Sequence, residues 1–465
     1  MDSEFERTET IFALASAPGR AGVAVIRISG PAAGEALRLI GGLDALPAPR
    51  RAIRCHMVDP ADGAALDDGL AIWFAAPASF TGEDVAELHI HGGRATVEAV
   101  TSALAALPGL RLAEPGEFSK RAFLAGKIDL TEAEAIADLI DAGTDAQRRQ
   151  ALAQLGGGLA GRLETWRADL IDVLAHTEAW IDFPDEDLPD DVERAARARI
   201  SALEAEIRLF LDDNRRGERL RDGLQIAILG APNAGKSSLL NAIAAREAAI
   251  VSATEGTTRD VIEVHLDLGG WPVTIADTAG LRDAADEIER EGVRRALDRA
   301  EAADVRLVVF DVSRAPDPAS LAQLSEGPGE VLAIANKADL VDAPPAEIAG
   351  VSALAISAKT GDGLPDLLRR LEGFAAEIMS DGAGTEGVPL TRLRHRTALI
   401  DSAEALGRAA TVGTDTGTGI ATGTGDSELV AEDLRVAARA LGRVTGRVDV
   451  EDLLDVIFND FCIGK

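Results

Sequence analysis

The segment Gly230-Ala-Pro-Asn-Ala-Gly-Lys236-Ser237 follows an apolar run, Leu224 to Leu229, and fits the spacing G-x-x-x-x-G-K-S. Such a loop wraps phosphate oxygens in successive backbone N–H groups. Its lysine neutralises the β and γ oxygens, and its serine offers a hydroxyl to Mg2+. A second apolar run ends in Asp277, Thr278, Ala279 and Gly280; there a carboxylate serves the Mg2+ shell and a glycine N–H serves the γ-phosphate. A third ends in Asn336, Lys337, Ala338 and Asp339, with Ser357, Ala358 and Lys359 in the next loop. A carboxylate at Asp339 accepts two hydrogen bonds from guanine N1 and N2, an edge that adenine does not present. Four motifs in this order, each at the predicted carboxyl end of a strand, specify a GTP and Mg2+ site. It takes in Asn233, Ala234, Gly235, Lys236, Ser237 and Ser238 from the first loop.

The hydrolytic apparatus is less conventional. Leu281 stands directly after Gly280, where small signalling GTPases carry a water-orienting glutamine nearby, and a leucine cannot polarise water. The loop Ser252, Ala253, Thr254, Glu255, Gly256, Thr257, Thr258 is rich in hydroxyls and carbonyls. Thr258 suits the second protein ligand of Mg2+. A monovalent cation held between Asn233 and this loop would supply the positive charge that an arginine finger provides elsewhere.

Positioning these loops takes a parallel sheet with crossover helices over about 223–379, and the apolar strands there alternate with helix-like segments as that requires. Residues 1–127 read as α+β, with strands expected at Val23–Ile28, Leu70–Phe74 and Val85–Ile90 and a helix over Thr96–Leu107. At Thr131-x-x-Glu134 a capping box opens a helical region. Leu152, Leu155, Leu159, Leu163, Trp166, Leu170 and Leu174 then predict at least one long amphipathic helix. Asp182–Asp191 reads as a solvated acidic loop and Thr411–Gly425 as a Thr/Gly-rich loop. Helical texture on both sides of the α/β segment predicts an insertion: 128–222 and 380–465 form one helical domain split in sequence.

Composition narrows the class further. The chain of 465 residues is 46% hydrophobic and 27% charged, ordinary globular values that exclude wholesale disorder. Two cysteines, Cys55 and Cys462, exclude a disulfide scaffold, and an acidic amino terminus without a long apolar run predicts a cytosolic protein with no membrane association. The net charge of −31 opposes direct binding of bare nucleic acid; its greater part falls within 128–380, and the flanking regions are nearly balanced. Only six basic residues are lysines: Lys120, Lys127, Lys236, Lys337, Lys359 and Lys465. Three of the six lie in nucleotide motifs, where a compact point charge is wanted instead of a fork.

The chain also resembles, over essentially its whole length, the MnmE (TrmE) family of tRNA-modifying GTPases. Pro18-Gly-Arg-Ala-Gly22, Ile26-Arg-Ile-Ser-Gly30, Phe80-Thr-Gly-Glu-Asp84, His91-Gly-Gly93, Pro115-Gly-Glu-Phe118 and the terminal Cys462-Ile-Gly-Lys465 carry the likeness. Ala21, where the family often has Gly, is one of few departures. The resemblance implies a folate-binding, dimerising α+β domain, a helical domain and an inserted P-loop (Ras-like), potassium-dependent GTPase. Its implied activity is GTP hydrolysis coupled to building a carboxymethylaminomethyl or aminomethyl group on carbon 5 of the wobble uridine. The implied one-carbon source is 5-formyltetrahydrofolate or 5,10-methylenetetrahydrofolate. The implied assembly is a homodimer joined, as a heterotetramer or larger complex, to the flavoprotein MnmG (GidA), which carries FAD and uses NADH.

Residue by residue, the resemblance implies K+ at Asn233, Ser252, Thr254 and Thr257, Mg2+ at Ser237 and Thr258, and folate at Arg27, Glu87, Lys127 and Lys465. It makes Glu289 a base acting through water; from the sequence alone Glu289 is one surface acid among several. Cys462 stays open between a buried structural thiol and a catalytic residue beside the folate, prenylation being set aside because Lys465 is a poor final residue. A regulatory switch, such as a ribosome-assembly GTPase, shares the nucleotide motifs but has no use for residues 1–127 or the terminal tetrapeptide.

Overall fold

The computed structural model describes residues 9–182, 190–246, 263–277, 303–325, 329–380, 388–411 and 424–448, together with Leu454, Ile457, Phe458, Phe461 and Gly464. The chain divides into two compact units, residues 1–137 with 442–465, and residues 138–441.

The first unit is built on a six-stranded sheet. Along the chain it runs β1 (Thr10–Leu14), β2 (Ala21–Ser29), α1 (Ala33–Ile40), β3 (Ile53–Val58), β4 (Ala65–Phe74), β5 (Val85–Gly92), α2 (Arg94–Ala105), β6 (Leu110–Leu112), α3 (Glu117–Leu124) and α4 (Leu130–Asp141). The strand order is β3-β4-β5-β2-β1-β6, antiparallel throughout except β1 with β6. The three expected strands are present, and β1, β3 and β6 were not anticipated. Side chains alternate across a strand, so Ala24, Ile26 and Ile28 of β2 and Ala86, Leu88 and Ile90 of β5 enter the core with Leu37, Ile40, Val100 and Leu104 of α1 and α2. Arg27 and Glu87 consequently stand on the other face. Part of that face, at the β1 side, is closed by Phe118 of α3 and Phe80 against Ile11 and Ala13. Leu130 and Ala133 of α4 pack with Leu454, Phe458 and Phe461 from the end of the chain.

The expected capping box at Thr131 and Glu134 forms two residues earlier. Asp129 Oδ1 accepts from the backbone N–H of Glu132 at 2.9 Å, and Glu132 Oε2 accepts from that of Asp129 at 2.9 Å. Asp is as good a cap as Thr, and the earlier start brings Leu130 into the core.

The second unit opens with α5 (Asp145–Leu155), α6 (Gly158–Asp182), α7 (Asp190–Leu211) and α8 (Arg216–Asp222). The long helix expected through the leucine stripe is α6, with the shorter α5 set before it because Gly157 takes φ +78°, a left-handed stop that glycine adopts without a steric cost. Leu152 is exposed while Ala151 and Gln154 are buried, so the stripe changes face at the break. The α/β segment follows as β7 (Leu224–Gly230), α9 (Lys236–Arg246), β8 (Glu263–Leu268), β9 (Trp271–Asp277), β10 (Val305–Asp311), α10 (Pro318–Ala322), β11 (Glu330–Asn336), β12 (Glu347–Ile348), β13 (Val351–Ala355) and α11 (Leu364–Met379). Its sheet order is β12-β13-β11-β10-β7-β9-β8. The five inner strands are parallel, and β8 and β12 join as antiparallel edges.

Apolar residues fill both faces of that sheet, which is why its strands read as continuous hydrophobic runs. The helices α12 (Leu393–Thr411) and α13 (Thr424–Thr445) follow. Ala398, Ala403 and Ala405 keep α12 narrow, and it packs along α7. In its first turn Arg396, nearly buried, donates to Glu218 at 3.0 Å, Asp213 at 2.6 Å and the Leu211 carbonyl at 2.8 Å. A helical layer on both sides of the α/β segment in sequence thus folds as one body with it. The acidic loop falls largely, and the Thr/Gly loop almost wholly, on residues outside the described ones.

Candidate functional site

The carboxyl ends of β7, β10 and β11 are in register: Val309 lies beside Gly230, and Asp311 beside Asn336. In an open parallel sheet this edge is where ligands bind. The loop leaving β7 needs close backbone approach at two points. A Cβ on Gly230, at φ +134°, would stand 2.3 Å from the Val309 carbonyl oxygen; one on Gly235, at φ +99°, would stand 2.2 Å from Asn336 Nδ2. Asn233 between them is left-handed at φ +62°. Lys236 opens α9 and is buried, its ammonium donating to the carbonyls of Gly230 at 2.9 Å and Ala231 at 2.8 Å. Ser237 and Ser238 are exposed on the first turn.

Asn336 joins two loops. It is 1% exposed; its Nδ2 donates to the Ala234 carbonyl at 2.8 Å, and its Oδ1 accepts from the Ala358 N–H at 3.1 Å. Lys337, left-handed at φ +63°, donates to the Asn233 carbonyl at 2.9 Å and to Asp311 Oδ2 at 2.6 Å. Burial would raise Asp311, but hydrogen bonds from Lys337 and Ser313 outweigh it and hold the carboxyl below its ordinary range. Asp311 was missed from the sequence, although an acid ending the apolar run Val305–Phe310 was a usable signal.

Asp339 stands exposed in a short 3-10 turn after Lys337. Ser357 is buried and its loop is closed by Asp362, whose carbonyl accepts the Ser357 N–H at 2.9 Å. Ala358 is half-buried and Lys359 exposed. The structure therefore brings Asn233 to Ser238, Asn336 to Asp339 and Ser357 to Lys359 to one edge. Asp277 ends β9 beside Ile228, with only its backbone among the described atoms. Ser252 to Thr258, Thr278, Ala279, Gly280 and Glu289 lie outside the described residues.

A second constellation sits in the first unit. Arg27 and Glu87 are cross-strand partners on β2 and β5, joined at 3.1 Å between Arg27 Nε and Glu87 Oε1. The guanidinium stands 5.7 Å from the ring centres of both Phe80 and Phe118, within cation–π range. Glu87 Oε2 faces His89 Nε2 at 3.4 Å. Lys127 is exposed, donates to the Pro77 carbonyl at 2.6 Å and lies against Gly82. Phe80, Phe118 and His89 were not singled out as site residues, because their nearness to Arg27 depends on the sheet. Cys462 and Lys465 lie outside the described residues. Between the two, Gly464 is buried, at φ +96°, with a Cβ position 2.2 Å from the Leu14 carbonyl oxygen.

A parallel sheet with a phosphate-type loop after β7 and a guanine-type loop after β11, on either side of β10, defines a P-loop GTPase. The family descriptions agree on which kind: "MnmE helical domain" matches residues 130–462 and "GTP-binding protein TrmE N-terminus" matches residues 10–127. The tRNA modification GTPase MnmE of Paramagnetospirillum magneticum is 58% identical over 98% of this chain and 100% of its own. Those of Parvibaculum lavamentivorans and Rhodospirillum rubrum are 57% and 55% identical, over 98% of this chain and 100% and 99% of theirs. The chain belongs to the MnmE family of tRNA modification GTPases. Among the described residues no helix is long and apolar enough to cross a membrane.

Proposed function

We propose that this chain hydrolyses GTP to drive modification of the wobble uridine of certain tRNAs at carbon 5, using a tetrahydrofolate one-carbon unit and an FAD-dependent partner protein. It acts in this reading as a cytoplasmic homodimer, with the partner holding most of the strongly anionic tRNA, in keeping with the chain's own charge of −31. The proposed domains are residues 1–127, 128–222 with 380–465, and 223–379.

At the nucleotide edge Lys236 and the loop N–H groups neutralise the phosphates, Asp339 selects guanine, and Asn336 ties the phosphate loop to the base loop. Mg2+ would be held by Ser237 and Thr258, and K+ by Asn233, Ser252, Thr254 and Thr257. These all-oxygen donor sets suit hard cations, and the Ser237 and Asn233 side chains are exposed at the loop. Bound there, the cations add positive charge where the phosphate oxygens gather negative charge. Glu289 takes a proton through water in this scheme.

The observation that favours this over a bare ribosome-assembly switch is the Arg27–Glu87 pair, with two aromatic rings beside Arg27. Glu87 suits the amino-pyrimidine edge of a pterin, the rings suit its flat face, and Lys127 and Lys465 suit the anionic glutamate tail. Cys462 is held as a candidate catalytic residue. Two titrations test the reading. GTP turnover compared in KCl and NaCl should be several-fold faster in KCl, and equal slow rates would remove the cation scheme. Binding of 5-formyltetrahydrofolate should be lost in Glu87→Ala, and a wild-type dimer without folate affinity would favour the switch.

A further inference from the structure

A buried arginine in the first unit contacts neither Arg27 nor Glu87, yet its ion pairs hold the two segments that flank them. Arg121 is 7% exposed on α3. Its NH1 donates to Glu83 Oε2 at 3.0 Å and Oε1 at 3.3 Å and to the Glu9 carbonyl at 3.0 Å, and its NH2 donates to Glu117 Oε1 at 2.9 Å. Glu83 also accepts from Ser29 Oγ at 2.8 Å, and Ser29 shares a 2.7 Å hydrogen bond with Thr81. Glu117 is held from its far side by Arg111 at 2.7 and 2.8 Å. Glu83 lies in the loop that carries Phe80 and packs Gly82 on Lys127, and Glu117 lies next to Phe118.

We propose that Arg121 is the positioning residue of the Arg27–Glu87 site: through Glu83 it fixes the Phe80 loop, through Glu117 it fixes the Phe118 helix turn, and so sets the slot in which a flat ligand meets the carboxylate. Burying an arginine costs far more than exposing one, and here the cost is offset by the ion pairs and hydrogen bonds of NH1 and NH2, the buried Nε making none. Placing that pairing between the two ring-bearing segments gives one side chain control of their separation. The fork reaches Glu83 and Glu117 together; a lysine ammonium is a single point and reaches one of them well.

That the slot receives a folate rests on the function proposed above, so the test has one arm that uses folate and one that does not. In the full-length dimer, Arg121→Met should weaken 5-formyltetrahydrofolate binding tenfold or more and leave basal GTP turnover unchanged. Arg121→Lys should lose less. Phe80→Leu should cost much less in the Arg121→Met background than alone, because the ring is already displaced; additive losses would assign Arg121 a general structural role and overturn the proposal. The second arm follows the Arg27 Nε–Hε resonance, identified by its loss in Arg27→Lys, whose shift reports the two nearby rings. It should move in Arg121→Met and, to a smaller extent, in Arg121→Lys. An unmoved Arg27 resonance in a folded variant overturns the proposal, with Arg121→Lys deciding should Arg121→Met fail to fold. Wild-type protein that ignores folate while the Arg27 resonance still moves would refute the folate reading alone.

Discussion

Replacing Asn336 by alanine probes how the nucleotide edge is held together. The side chain makes two hydrogen bonds, a buried one to the Ala234 carbonyl at 2.8 Å and a partly buried one from the Ala358 N–H at 3.1 Å. Truncation leaves a backbone acceptor and a backbone donor without partners. Each costs about 1–3 kcal/mol when it stays buried, and partial access of water brings the pair to about 2–4 kcal/mol. The affected groups belong to the phosphate loop and the base loop, so their order must then be restored by the ligand. At about 1.4 kcal/mol per tenfold change, GDP affinity falls roughly 30- to 1,000-fold. Titration with a fluorescent GDP analogue measures this, and circular dichroism confirms that the variant is folded. Asn336→Asp should also bind poorly, since it keeps an acceptor for Ala358 but sets a second oxygen against that of Ala234. GDP affinity within threefold of wild type in a folded Asn336→Ala protein would refute the tie.

The remaining predictions are briefer. Asp311→Asn removes the charge that anchors Lys337 and should weaken GDP binding about three- to tenfold, read by the same titration; an unchanged affinity would assign Asp311 to the strand end only. Glu289→Ala should bind GTP normally and hydrolyse it at least tenfold more slowly in single-turnover assays, and wild-type turnover would remove it as the base. Burial would raise Glu117, but hydrogen bonds from Arg111, the Glu114 N–H and Arg121 outweigh it and lower the carboxyl from 4.5. A depressed carboxylate contributes stability above its unfolded value, lost as pH falls through the folded one. The first unit should therefore lose stability as pH drops below about 4.5, with a shallower acid slope in Glu117→Gln, measured by urea unfolding at stepped pH. Gly464→Ala places a methyl on the Leu14 carbonyl in a left-handed conformation and should displace the terminal tetrapeptide, weakening folate binding without altering GDP affinity.

The nucleotide edge was legible because its motifs are local: each lies within eight consecutive residues, and the apolar run before it announces the strand. Lysine scarcity drew the eye to the same edge, where Lys236 donates to two loop carbonyls and Lys337 to the Asn233 carbonyl and the Asp311 carboxylate. What the sequence hid was non-local. Asp311 gains meaning only when β10 and β11 align it with Asn336. Arg121 and Glu83 are 38 positions apart, and no periodicity links an arginine on a helix to a loop beneath a sheet. The leucine stripe runs through Gly156-Gly157-Gly158, so its periodicity left the number of helices open, and the left-handed Gly157 separates α5 from α6. The capping box slipped by two residues because Asp129–Glu132 and Thr131–Glu134 satisfy the same pattern, and only the burial of Leu130 separates them.

The central claim is that GTP hydrolysis by this chain serves chemistry on tRNA. Mass analysis of wobble nucleosides in tRNA from cells lacking the chain, and from the same cells carrying the wild-type or the Asn336→Ala protein, tests it most directly. The carboxymethylaminomethyl or aminomethyl group on carbon 5 of uridine should disappear without the chain, return with the wild type, and stay largely absent with Asn336→Ala. Tail-modified uridine at wild-type levels in cells without the chain would contradict it.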